Sequence, residues 1–230
     1  MMNTQPNQNH YRQLMKLTLP IIVQNLLSTA VGSSDVVMLN YVGQAHISAV
    51  SLAAQYANVL FMVLYGLGTG VTMLSAQYFG KKDMRAVQLV QGIALRFSLI
   101  CSGVFAAGAL LFPQIMMRAF TPDPELIEIG AQYLRCISVA YLCWGVIEIY
   151  LATLRSIGRV AVASALNIFA FVLNILLNAV FIFGLFGAPK LGAMGVAIAT
   201  SVSRLLELVL CVIVSKTSKD VKLRLSDMFH

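Results

Sequence analysis

The sequence predicts an all-α membrane protein with six transmembrane helices, and three observations carry that prediction. Of its 230 residues, 59% are hydrophobic and only 11% charged, with a mean hydropathy of +0.81, against about a quarter charged in soluble domains. Its apolar residues come in long runs, and a helix needs about 20 residues to cross a hydrocarbon core of ~30 Å. Finally, its basic residues fall at alternate connections between those runs.

In order, the apolar runs place spans at residues 17–39, 47–78, 86–112, 131–154, 160–186 and 191–214. Each must be helical, because no water inside a bilayer can satisfy an open backbone. The domain plan is therefore a tail at 1–16, a six-span unit at 17–214 and a basic tail at 215–230, with a loop expected at 113–130. Arg12 and Lys16 before residues 17–27, followed by Ser28, Thr29 and Ala30, have the shape of a signal peptide. The hydrophobic run continues to Leu39, which favours a first span instead.

One side of the membrane receives Arg12, Lys16, Lys81, Lys82, Arg85, Arg155, Arg159, Lys216, Lys219, Lys222 and Arg224. The other receives Arg118, Arg135 and Lys190, with Asp123, Glu125 and Glu128 in its longest loop. By the positive-inside rule both termini are cytoplasmic. The net charge of +7 then reads as basic loops and a basic tail beside anionic lipid, not as a nucleic-acid surface. Cys101, Cys136, Cys143 and Cys211 lie in or beside spans without CxxC spacing, and His10, His46 and His230 lie outside them. Together with the absence of an HExxH pair, this argues against a zinc enzyme or any other enzyme, and no cofactor is expected.

Ionisable side chains within spans are costly and normally face a cavity or a partner. Here they are Asp35, Arg96, Glu148, Arg204 and Glu207. Gln24, Ser28, Val31 and Asp35 follow the spacing 0, 4, 7, 11 of one helical face, and Asn167, Phe171, Asn174 and Asn178 repeat it on the fifth span. Asp35 and Asn178 each lie 18 residues beyond the start of their spans, so the two stripes are expected to line a shared polar cavity in the outer half of the membrane. A carboxylate there can exchange a proton, or hold sodium with amide oxygens completing the shell. The alternative for the amides is hydrogen bonding that holds helices together. Arg96 and Glu148 are expected to form a structural ion pair, and Arg204 with Glu207 a local i, i+3 pair.

Gly66, Gly68 and Gly70 in GLGTG lack a following Lys-Ser or Lys-Thr and lie within a span, so they read as sites of close helix approach or bending, not as a phosphate loop. Gly192 and Gly195 read the same way.

Three stretches resemble the multidrug and toxic compound extrusion (MATE) family: LTLPIIVQNLLSTAVGSSDVVMLNYVG at 17–43, GLGTGVTMLSAQYFGKKD at 66–83, and LNILLNAVFIFGLFGAPKLGAMGVAIATSVSR within 166–204. The resemblance implies one lobe of a twelve-helix, two-lobe transporter in a bacterial inner membrane. The implied activity is a secondary antiporter that exports small organic, often cationic, compounds in exchange for protons or sodium. It also implies that Asp35 is the first-span acid involved in cation coupling. Asn178 stands where one branch of the family has a second acid, so a two-carboxylate site in this half is not expected. The length and the basic tail imply a truncated product or fragment whose missing lobe comes from elsewhere or from a second copy. The alternatives are half of a lipid-linked sugar flippase and a non-transporting structural or regulatory fragment. An ion or water channel is disfavoured by the absence of an NPA pair, a TVGYG run and an Arg-repeat helix.

Overall fold

The structure is a computed structural model that describes residues 43–187 and 191–217, together with residues 15, 18, 19, 22–24, 26, 29, 30 and 37–40. Asp35, Ser28, Arg12, Lys16, Lys190 and the tail beyond Thr217 lie outside the described residues. The helices are α1 (Gln44–Gly80), α2 (Met84–Leu111), the short α3 (Pro113–Arg118), α4 (Pro124–Ser156), α5 (Val160–Phe183) and α6 (Ala193–Thr217). Among the described residues there is no strand. The protein is an all-α membrane protein: α1, α2, α4, α5 and α6 are long and apolar enough to cross a bilayer, and they are the expected second to sixth spans. Of the expected first span, the described residues 18, 19, 22–24, 26, 29, 30 and 37–39 are helical.

The helix ends follow local chemistry. α1 closes in the turn at residues 81–83, where Lys82 takes a left-handed φ of 61° and the Asp83 carboxylate accepts the Ala86 N–H at 3.0 Å to start α2. α5 ends at Gly184, whose φ of 72° lets its N–H reach the Val180 carbonyl at 2.9 Å. The loop expected at 113–130 is mostly helix. Pro113 and Pro124 each sit in a first turn, where a fixed φ and a missing N–H are no handicap, and Asp123 caps α4 by accepting the Glu125 N–H at 3.0 Å. Polar residues hid these turns because they lie beyond the apolar run.

α4 is the central helix, packed against α1, α2, α3 and α6. Its Leu134, Tyr141, Ile147, Ile149, Tyr150, Leu151 and Leu154 are all buried, as expected of a helix with neighbours on most sides. The other helices turn large apolar side chains outward: Met62 is 74% exposed, Val104 65% and Ile100 63%. Such a surface suits lipid and not water. α4 approaches α2 closely at Gly145, where a Cβ would lie 2.6 Å from Ser102 Oγ and 3.2 Å from the Ser98 carbonyl oxygen.

Candidate functional site

Three helices carry stripes of polar and aromatic side chains at helical spacing. On α1 these are Phe61, Tyr65, Gly68 and Thr72; on α4, Trp144, Glu148 and Arg155; on α5, Asn167 and Phe171. With Arg204 of α6 and Gln24 they enclose an open cavity of ≈ 730 Å³. It lies toward the end of the bundle that bears the basic turns at residues 81–85 and 155–159.

Of the side chains expected to line a polar cavity in the outer half, Gln24 and Asn167 line this one, and Asp35 and Ser28 lie outside the described residues. The α5 stripe runs eleven residues, about 16 Å at ~1.5 Å per residue, so its ends meet different surroundings. Asn167 lines the cavity, and Gln24 lines it while accepting a hydrogen bond from Ser164 Oγ at 3.2 Å. Asn174 and Asn178 do not line this cavity and are buried. Asn178 Nδ2 donates to Asn174 Oδ1 at 3.1 Å, and Asn174 Nδ2 donates to Thr200 Oγ1 of α6 at 3.1 Å. Asn174 therefore joins α5 to α6, as amides within membranes often do, and Asn178 braces it from the next turn of α5.

The ion pair on Glu148 is with Arg155, at 2.8 Å, and not the expected pair with Arg96, which is half-buried on α2. α4 continues helically to Ser156, so Arg155 stands two turns from Glu148 on the same face. From the sequence Arg155 looked like a loop charge. Gly68 sets the distance between this pair and α1: a Cβ there would come 3.3 Å from Glu148 Oε1, whereas Gly66 and Gly70 face open space. Thr72 Oγ1 donates to the Gly68 carbonyl at 2.9 Å and reaches the Ala152 carbonyl at 3.4 Å. Gly195 also marks a close approach, its Cβ position lying 3.0 Å from Phe181 Cβ.

The expected Arg204–Glu207 pair forms, at 2.7 Å, with Glu207 0% and Arg204 17% exposed. Arg204 also lies over the rings of Trp144 at 5.3 Å and Phe171 at 5.7 Å. The aromatic wall continues from Trp144 to Phe61 at 5.5 Å and from Phe61 to Tyr65 at 5.8 Å. Sequence reading missed this wall. The signal was present in the spacing of Phe61, Tyr65 and Gly68, and of Trp144 and Glu148, but aromatics in apolar spans read as lipid-facing or core.

A lobe with this helix order and a cavity on one face invites comparison with known proteins. The family model described as MatE matches residues 20–180. The chain belongs to the MatE family. Among relatives of this MatE chain, an uncharacterized transporter, YisQ of Bacillus subtilis, is 30% identical over 94% of the chain and 48% of its own length. A probable multidrug resistance protein, NorM of Thermotoga maritima, is 28% identical over 84% of the chain and 42% of its own length. The fold matches that of a MOP superfamily transporter from Pyrococcus furiosus, with a TM-score of 0.83 and 21% identity over 95% of the chain and 48% of that protein. A structure described as an outward-facing multidrug resistance MATE family transporter matches equally, at a TM-score of 0.83. The chain thus spans about half the length of the relatives it matches, and it has the fold of one MATE lobe.

Proposed function

We propose that this MatE lobe belongs to a secondary antiporter, and not to an enzyme, that exports small organic, often cationic, compounds in exchange for protons or sodium. The observation that carries the reading is the open cavity walled by aromatic rings and charged side chains inside a membrane lobe. Relatives named multidrug resistance proteins support it. The basic end is cytoplasmic, in a bacterial inner membrane, so the cavity opens toward the side from which cargo leaves. Asp35 is the cation-coupling acid. It takes the proton, or holds sodium together with amide oxygens, and no organic cofactor takes part. A second lobe, from another segment or a second copy of this chain, faces the cavity.

Binding of a cationic dye to the purified chain tests this reading. Affinity is expected to change with proton or sodium concentration, and Asp35→Asn is expected to bind the dye with that dependence lost. A folded chain whose dye binding ignores both ions, or keeps its dependence without Asp35, contradicts the coupling role. Arg155 and Arg204 on the cavity wall support one second reading, half of a lipid-linked sugar flippase, which would prefer a phosphate-bearing ligand to the dye.

A further inference from the structure

The geometry points to Arg204 as the carboxylate-binding position of the cavity, which makes carboxylate-bearing aromatic compounds ligands of this lobe. The inference rests on the cavity being the cargo compartment. It starts from the donors of one guanidinium. Arginine carries five N–H donors in a rigid fork and no acceptor. Among the described residues Arg204 makes one hydrogen bond, from Nη1 to Glu207 Oε2 at 2.7 Å. Glu207 is 0% exposed and lies behind the cavity wall, whereas Arg204 is 17% exposed and forms part of that wall. The buried acid therefore holds the guanidinium from behind and leaves donors available on the cavity side.

The surroundings define the rest of the ligand. Trp144 and Phe171 flank Arg204 at 5.3 and 5.7 Å, and Phe61 and Tyr65 extend the wall. A planar ring can lie along these side chains while an acid group on it meets the fork. A single ring-borne carboxylate also suits the local charge better than a phosphate. Arg155 and Arg204 are balanced by Glu148 and Glu207, so a dianion would bring twice the uncompensated charge of a carboxylate into a partly desolvated site. Glu148 is already neutralised by Arg155 at 2.8 Å, which lowers its repulsion of an incoming acid. In this arrangement Glu207 is a positioning residue and Arg204 is the group that touches ligand.

Equilibrium dialysis of indole-3-propionate against its neutral partner indole-3-propionamide, on the purified chain in detergent, tests the assignment. Wild type is expected to prefer the carboxylate by about tenfold or more, the scale of one charge-assisted hydrogen bond. Because Arg204→Gln alone leaves a buried acid unpaired, the deciding variant is the charge-balanced Arg204→Gln/Glu207→Gln. It is expected to lose that preference, because removing the guanidinium costs the carboxylate, which meets it charge to charge, more than it costs the neutral amide. Equal affinity for the two probes in wild type, or an unchanged preference in a double variant that retains its helix content, overturns the assignment. So does displacement of indole-3-propionate by phenyl phosphate at lower concentration than by benzoate. A folded chain that binds neither probe defeats the cavity reading itself. One that binds both alike defeats only the role of Arg204.

Discussion

Replacing Arg204 by glutamine alone is expected to destabilise the folded chain by about 3–5 kcal/mol, and replacing Glu207 by glutamine as well is expected to recover most of that loss. The asymmetry follows from where the two charges sit. Glu207 is 0% exposed, and its one described hydrogen bond comes from Arg204, with Oε1 accepting none among the described residues. Without the guanidinium a carboxylate is left in a dry helix contact, where desolvation has nothing to offset it. Arg204 is 17% exposed to the cavity, so Glu207→Gln leaves a cation that water can still reach and costs less. Unfolding of the three variants in a denaturing-detergent titration checks the order: Arg204→Gln least stable, Glu207→Gln intermediate, the double variant nearest wild type. A double variant no more stable than Arg204→Gln contradicts a buried ion pair as the source of the effect.

Gly145→Ala is expected to cost about 1–3 kcal/mol, the range for overpacking a filled contact. Alanine ordinarily favours helix over glycine by about 0.5–1 kcal/mol, so a loss here reverses the intrinsic preference. The added methyl would stand 2.6 Å from Ser102 Oγ and 3.2 Å from the Ser98 carbonyl oxygen. The serine hydroxyl can rotate, but the backbone oxygen of α2 can yield only if α2 moves away from the central helix. Gly66→Ala is the control, since its Cβ meets nothing within 4 Å, and it is expected to be neutral or mildly stabilising. Thermal unfolding of the pair checks the difference, and equal midpoints would mean that α2 and α4 are not held at this distance.

Spans two to six were legible because an apolar run of the right length has one structural solution in a bilayer. What lay at the ends was not. Residues 113–130 read as a loop because their turns carry Asp, Glu and Pro, yet proline at a first turn and the Asp123 cap extend helix there. The same bias removed Arg155 from consideration. Counted as a loop charge, it instead completes a face with Glu148 on a helix that runs to Ser156.

Pairs within one helix are readable by counting, as Arg204 and Glu207 were. Pairs across helices depend on rotation about each axis, which hydropathy does not supply when apolar residues occupy every face. Glu148 and Arg96 lie on different helices, and similar depth alone does not turn their side chains toward each other. The Asn stripe divides for the same reason: Asn167 meets this cavity, while Asn174 turns to Thr200 of α6.

Trp144, the only tryptophan of the chain, lies on the cavity wall beside Arg204 and Phe61, so its emission reports on that compartment alone. Titration of the purified chain with a cationic aromatic dye, followed by Trp144 fluorescence, tests most directly whether the cavity holds cargo. Saturable quenching, with a midpoint matching dye binding measured independently, is the predicted result. Dye that binds the folded chain while Trp144 emission stays unchanged would place cargo elsewhere and contradict the account.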